Sequence, residues 1–285
     1  MSRLKIESTE WRDMGPTHVN GHTFAISDLH GRSDLAEPLL DHLAGIAPRG
    51  GKTKLVSCGD LIDRGPDSFG TVDLVMRQEE RFDELILLCG NHEIMVLDAF
   101  WPLGIQSDPS FSPQDLSNWI SWGGSSILRE AAGGKDSMSS GRFRKIVIER
   151  LGPYLERVAL RAEPHHLAGD LMFIHAGVVP DREFQNCLKL KPQDHVPHRE
   201  HWAWTVEPFH EWVGGWEEPN RVIVHGHVIC TPDREMSADE LADCTDSLMP
   251  YKRFCLDVGG YEAGRLAALE VYENQYRFHF VMEDK

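Results

Sequence analysis

Residues 54–65, KLVSCGDLIDRG, decide the fold: a short apolar run stops at a glycine and passes at once into two acids and an arginine. Leu55 and Val56 suit a buried strand, and Gly59 and Gly65 permit the turns that carry Asp60, Asp63 and Arg64 onto the rim of a sheet. Alone, these residues also describe a capped turn, with Asp63 and Arg64 solvated and Asp60 opening a helix. The flanking sequence favours the first reading. Upstream, residues 22–27 read as a strand ending in SDLHG, with Asp28 and His30 just past its end. Downstream, residues 84–89 read as a strand ending in GNHE, with Asn91, His92 and Glu93. Between them, Leu35, Leu39, Leu40 and Leu43 recur at helical spacing with Ser33 as a candidate cap, and Val72, Val75 and Met76 do the same behind Asp67 and Ser68. Three strand-to-helix units that each leave polar groups at the strand's carboxyl end predict an open α/β sheet with its ligands gathered there.

The remainder of the chain keeps this rhythm with two interruptions. Residues 1–20 show no periodicity and read as an irregular lead-in. Residues 100–145 carry Pro102, Pro109, Pro113, two GG pairs and Trp101, Trp119 and Trp122, which reads as an inserted cap, since linkers seldom hold so many aromatics. Helical spacing resumes over 142–161, with a break or kink expected at Gly152-Pro153. A strand at 171–174 ends at His175 in HAG; a second irregular insertion, 180–219, contains Trp202, Trp204, Trp212 and Trp216; a strand at 221–224 runs into HGH, His225 to His227. Residues 254–257, 265–272 and 276–282 read as closing strands. The tryptophans are expected to form small cores that pin the long loops rather than a stacking platform, and His195, His198 and His201 to lie on a solvated loop.

Composition limits the function classes. A chain of 285 residues, 41% hydrophobic and 26% charged, is ordinary for a globular protein and fits one large α/β domain over 1–285. Lys+Arg 29 against Asp+Glu 45 gives a formal charge of -16, which repels phosphate backbones at long range and argues against nucleic acid as a partner. No apolar run approaches the roughly 18 residues needed to span a bilayer, and the first residues lack a signal peptide's apolar centre, so a cytoplasmic protein without a membrane partner is expected. The six cysteines form no CxxC and are expected to be buried free thiols.

In chain order the strand ends present Asp28 and His30, Asp60, Asn91 and His92, His175, and His225 and His227. Metal chemistry accounts for this choice of residue types. A carboxylate can bridge two cations, neutral imidazoles supply nitrogens, and an Asn amide oxygen completes a shell without adding charge. Two divalent ions roughly 3.5–4 Å apart lower the pKa of a shared water and clamp the oxygens of an in-line displacement at phosphorus. Such ligation suits manganese, iron or zinc.

The blocks SDLHG, GDLIDRG, GNHE, HAG and HGH, followed by LDVGG, resemble the signatures of the calcineurin-like metallophosphoesterases. GD-x-x-DRG together with GNHE is similar to the phosphoprotein phosphatase branch, particularly its compact bacterial and phage serine/threonine phosphatases. The resemblance covers about residues 22–272. It implies a β-sandwich of two central mixed sheets flanked by helices, with a dinuclear centre where the strands converge. It further implies that Asp28 and His30 hold the first metal, that Asp60 bridges, and that Asn91, His175 and His227 hold the second, with manganese the expected ion. His92 corresponds to the family's general acid, Asp63 to the group that orients it and Arg64 to a phosphate clamp, while His225 becomes a supporting or substrate-facing group. The implied activity is hydrolysis of phosphomonoesters, with phosphoserine or phosphothreonine on proteins as the expected substrate. A dinucleoside polyphosphate hydrolase and a weakly active metal-binding scaffold are the alternatives. One departure bears on the substrate: Val206, in Trp204-Thr205-Val206, stands where related bacterial enzymes carry a second clamping arginine, so either another residue such as Arg182 or Arg199 substitutes or the bound group differs from a simple phosphomonoester.

Overall fold

The computed structural model describes residues 3–284 except 49–50, 102–104, 106–111, 134–137, 161–162, 181–183, 208, 214 and 217. Twelve strands are described: β1 (Arg3–Ser8), β2 (Arg12–Asp13), β3 (Val19–Ile26), β4 (Thr53–Ser57), β5 (Glu84–Leu87), β6 (His165–Ala168), β7 (Leu171–Ile174), β8 (Val222–His225), β9 (Asp246–Ser247), β10 (Arg253–Cys255), β11 (Arg265–Glu273) and β12 (Gln275–Asp284). They form two mixed sheets. The first runs β1-β12-β11-β3-β4-β5, with β2 attached to β12; the second runs β6-β7-β8-β10-β9. In the first, β3, β4 and β5 are parallel while β11, β12 and β1 are antiparallel; in the second, β7, β8 and β10 are parallel.

The sheets pack face to face over one apolar cluster. Ala25, Val56, Leu269, Phe278 and Phe280 come from the first sheet, and Phe173, Val224 and Phe254 from the second. Each fully buried phenylalanine contributes about 1.5–3 kcal/mol relative to an exposed one. The central strands end in unbroken buried runs, Phe24 to Ile26 in β3 and Leu171 to Ile174 in β7, as strands covered on both faces must. A second cluster lies beneath the helices, where α1 (Ser33–Ile46), α2 (Ser68–Met76), α3 (Asn91–Phe100), α4 (Pro113–Trp119), α5 (Ser125–Ala132) and α6 (Ser140–Leu160) flank the sandwich.

Several local expectations need correction. The lead-in holds β1 and β2, because RLKIES pairs residue by residue with β12 and its charged alternation suits an edge strand. Ser33 does not cap α1: the N-cap is Arg32, and the Ser33 hydroxyl donates to Asp67 Oδ2 at 2.5 Å. Asp67 does cap α2, accepting from the Gly70 amide at 3.0 Å. Helix α6 runs through Pro153 unbroken, since Phe143, Val147, Leu151, Tyr154, Leu155 and Val158 bury a stripe on both sides of the proline. The described part of the first insertion is helical rather than irregular, with a π-helical turn at Ile120–Gly124 joining α4 to α5.

Candidate metal centre

The loops leaving β3, β4 and β5 are bonded to one another before any side chain is considered. Asp28 N–H donates to Gly59 O at 3.1 Å and His30 N–H to Asp60 O at 3.0 Å. Gly59 has φ +100°, and a Cβ there would stand 2.5 Å from the Gly90 nitrogen, so this approach of loops requires glycine. Glu93, fully buried, receives the amides of Asp60 (2.9 Å), Leu61 (3.1 Å) and Gly90 (2.8 Å), tying the second loop to the third. Asp28, His30, Asp60, Asp63, Arg64 and His227 all have positive φ, between 42° and 72°.

These backbones converge their side chains on Asp60. Its Oδ2 lies 3.7 Å from His30 Nε2 and 3.5 Å from His175 Nε2. Two groups could each hold a metal ion, His30–Asp60–His92 and Asp60–His175–His227, and they share Asp60. Asn91 Oδ1 stands 2.9 Å from His175 Nε2 and 3.0 Å from His227 Nδ1. Asp28 adds Oδ1, which lies 3.9 Å from His30 Nε2 and is buried without a hydrogen-bond partner among the described residues, although Oδ2 accepts from Ser27 Oγ and the His227 amide. An orphaned carboxylate oxygen among buried imidazoles and an amide oxygen is a donor set that fits a divalent cation. The outer nitrogens are already engaged: His30 Nδ1 with Ile62 O at 2.9 Å and His175 Nδ1 with Cys58 O at 2.8 Å. Donation of Nδ1–H to those carbonyls turns the Nε2 lone pairs inward.

Electrostatics without a cation show how tightly the groups are coupled. Burial, then the nearby His92, holds His30 well below the usual imidazole range; burial, then His175, brings His227 down to about 3. Both rings are therefore neutral near pH 7 and free to donate. Burial raises Asp28, whereas Asp60 stays well below its ordinary value against burial because His175 and His92 face it. In turn Asp60 lifts His175 to about 9 against the same desolvation.

Beside this cluster stands a second arrangement. His92 Nδ1 is 2.7 Å from Asp63 Oδ2, with both side chains wholly buried, and His92 Nε2 is 3.1 Å from Arg64 Nη2. Burial opposes protonation of His92, but Asp60 and the Asp63 hydrogen bond outweigh it and raise its pKa. Two neighbours of this arrangement are not singled out as site residues by sequence reasoning. The Trp119 indole Nε1–H donates to Asp63 Oδ2 at 2.8 Å, and the Arg64 amide donates to Gly123 O at 3.2 Å. Their only sequence signal is an aromatic and a GG pair in an insertion.

Other sequence candidates lie elsewhere. His225 is buried, its Nδ1 3.0 Å from Gly226 O and its ring edge-on to Phe209 and His210. The two ring contacts run to the second insertion. Arg182 lies outside the described residues. Arg199 is 78% exposed and 3.7 Å from Glu200, an ion pair on the surface, and Val206 is exposed. His201 is not solvated: it is buried, with Nε2 3.1 Å from Lys191 O and Nδ1 accepting the Ala203 amide. Trp101, Trp119, Trp202 and Trp216 are buried, as small loop cores require, while Trp122 is 57% exposed. All six cysteines are free. Among the described residues no helix is long and apolar enough to cross a membrane.

The "Zinc-dependent endopolyphosphatase" of Saccharomyces cerevisiae is 27% identical over 183 residues, 58% of this chain and 49% of that protein. "Serine/threonine-protein phosphatase 1" of Salmonella typhimurium is 36% identical over 95 residues, 33% of this chain and 36% of that protein. The chain thus matches half or less of the length of these curated relatives. A crystal structure of a cold-active protein-tyrosine phosphatase from a psychrophilic Shewanella species shares the fold, with TM-score 0.52 and 18% identity over 90% of this chain and 77% of that one. Residues 22–230, which include every convergent side chain described above, match the sequence profile of the calcineurin-like phosphoesterases, and the chain belongs to that family.

Proposed function

We propose that this protein is a metal-dependent phosphoesterase acting on phosphomonoesters, with phosphoserine or phosphothreonine in proteins as its substrate class. The observation that carries the reading is the pair of groups that share Asp60, His30–Asp60–His92 and Asp60–His175–His227, with Asp28 Oδ1 beside the first and with His92 turned to Asp63 and Arg64 by its two ring nitrogens. In it Asp28, His30 and Asp60 hold one ion, and Asp60, Asn91, His175 and His227 hold the other, with manganese as the ion. When bound, the ions supply an activated water and a clamp for phosphoryl oxygens. Arg64 offers its planar fork to the same oxygens, a local positive charge in a chain of formal charge -16. His92 carries a proton on Nε2 to the leaving oxygen while Nδ1–H remains on Asp63. Arg64 and a protonated Nε2 cannot both donate to each other across 3.1 Å. Transfer of the guanidinium to the phosphoryl group therefore frees Nε2 for its proton. Free cysteines accord with residence in the reducing cytoplasm.

The yeast relative favours a second reading, in which the ion is zinc and the substrate a chain of phosphoanhydrides. Metal-stripped protein reloaded with manganese or zinc and offered a phosphopeptide, polyphosphate and diadenosine tetraphosphate in parallel separates the readings. Preference for the phosphopeptide is expected. Preference for polyphosphate or the dinucleotide replaces the substrate class, and no hydrolysis of any with metal bound would leave only the scaffold alternative.

A further inference from the structure

The first insertion reaches the Asp63–Arg64 turn directly. Gly123, at φ +132°, presses its Cα face on Arg64, where an added Cβ would stand 2.9 Å from Cγ. Glu130 of α5 receives the amides of Ser68 and Phe69 at 2.9 and 3.0 Å, and the Ser68 hydroxyl accepts the Asp63 amide at 3.0 Å. The closest approach is Trp119, which is fully buried and donates to Asp63 Oδ2, the same oxygen that meets His92 Nδ1. The other oxygen, Oδ1, is buried with no hydrogen-bond partner among the described residues, so two donors on one oxygen set the tilt of the carboxylate. The indole is itself fixed, lying parallel to Phe143 (6.2 Å, 13°) and edge-on to Phe100 (5.7 Å, 81°). Gly124 lies beneath its ring, where any Cβ would overlap the indole. A core tryptophan needs only some acceptor for its N–H, and a backbone carbonyl would suffice. Here the acceptor is the group that aims His92.

We propose that Trp119 is a positioning residue for the His92–Asp63 pair: its indole N–H fixes the carboxylate that orients the His92 ring. The first insertion is then part of the proton-delivery apparatus rather than a cap over it. This inference rests on the reading of His92 as the acid, and the test separates the two.

Turnover is measured on phenyl phosphate, whose leaving group needs a proton, and on 2,4-dinitrophenyl phosphate, whose leaving group does not. Four proteins are compared: the parent, His92→Asn, Trp119→Phe and Phe143→Leu. Trp119→Phe is expected to lower kcat on phenyl phosphate by roughly tenfold more than on the dinitrophenyl ester, about the effect of one charge-assisted hydrogen bond, with KM little moved. Phe143→Leu loosens the same core, but Phe100 and Gly124 still hold the indole and its N–H keeps Asp63 as acceptor, so the ratio of the two rates should stay at the parent value. If His92→Asn slows both esters equally, the acid reading fails and takes the inference with it. If His92→Asn discriminates and Trp119→Phe does not, or if Phe143→Leu shifts the ratio as much, the inference alone is overturned. A second measurement needs neither metal nor a tryptophan variant. In ¹H–¹⁵N spectra of the metal-free protein, Asp63→Asn should move one indole N–H resonance, and an unchanged set of indole resonances would overturn the inference even if Trp119→Phe did not fold.

Discussion

Glu270 lies on β11 with its carboxylate almost wholly buried, and it collects three donors: His22 Nε2 at 2.5 Å, His279 Nε2 at 2.8 Å and Arg277 Nε at 2.5 Å. The side chains come from β3, β11 and β12, so the cluster ties three strands of the first sheet together. His279 Nδ1 continues to Ser8 Oγ of β1 at 2.7 Å and to His42 Nε2 of α1 at 3.1 Å, and Arg277 lies over the Trp11 ring. Glu270→Gln keeps the shape, removes the charge and points an amide N–H₂ at a donor. Breaking one side of a buried pair removes about 3–5 kcal/mol, and the partial exposure of Arg277 and His22 places this case near 3 kcal/mol. That corresponds to a fall in Tm of roughly 6–12 °C for a chain of this size.

The loss carries a pH signature. Burial alone would raise the Glu270 pKa, but the hydrogen bonds from His22, His279 and Arg277 overcome it and hold the carboxyl well below its ordinary 4.5. A depressed folded pKa means that the stabilisation is complete above 4.5 and is lost as pH falls from there toward the folded value. Urea unfolding of parent and Glu270→Gln should therefore differ by about 3 kcal/mol at pH 7, with the gap narrowing as pH drops below about 4.5. His42, His22, His279 and Arg277 are then left as unopposed neighbours of a neutral carboxyl. A difference under about 1 kcal/mol at pH 7, or one that does not narrow in acid, would refute the assignment of this cluster as a charged clasp.

Three further perturbations address the centre. Gly59→Ala forces a Cβ to within 2.5 Å of the Gly90 nitrogen at φ +100° and should destabilise the fold by about 3 kcal/mol or more in guanidinium titration; an unmoved midpoint would mean that the loops can part freely. Asp60→Asn, read by plasma mass spectrometry after dialysis, should abolish retention of both ions, whereas Asp28→Asn should weaken one; equal behaviour of the two variants would remove the bridging role from Asp60. Arg64→Lys, which keeps charge but loses the planar fork, should raise KM for an aryl phosphate by roughly tenfold, and an unchanged KM would take Arg64 out of substrate binding.

Which side chains converge was more legible in the sequence than the architecture around them. Asp28, His30, Asp60, Asn91, His175 and His227 were legible because each follows a short apolar strand, and polar groups at the carboxyl end of such strands have few structural uses. The second sheet was harder to see as one layer of a sandwich: β6, β7 and β8 have four residues each, too few for a period to separate a central strand from a buried turn of helix. At the edge, β1 alternates charge with apolar residues, which protects it from unwanted pairing and also disguises it as a loop. Trp119 meets Asp63 across 56 positions of chain, and His201 owes its burial to a Lys191 carbonyl. Neither contact has a local pattern to announce it.

Six of the eight described non-glycine residues with positive φ are Asp28, His30, Asp60, Asp63, Arg64 and His227. Each holds its backbone in a region that costs about 1 kcal/mol or more for a side chain with a Cβ. At five of them, hydrogen bonds made by the side chain offset that strain, but at half-buried Arg64 glycine or asparagine would relax the chain, so a library selected for heat resistance alone would accumulate such replacements there first and lose the guanidinium without disturbing the fold. Thermal rank and catalytic rank of variants at Arg64 should run in reverse order, which makes this turn of the rim the place where a screen for robustness and a screen for turnover would disagree most sharply.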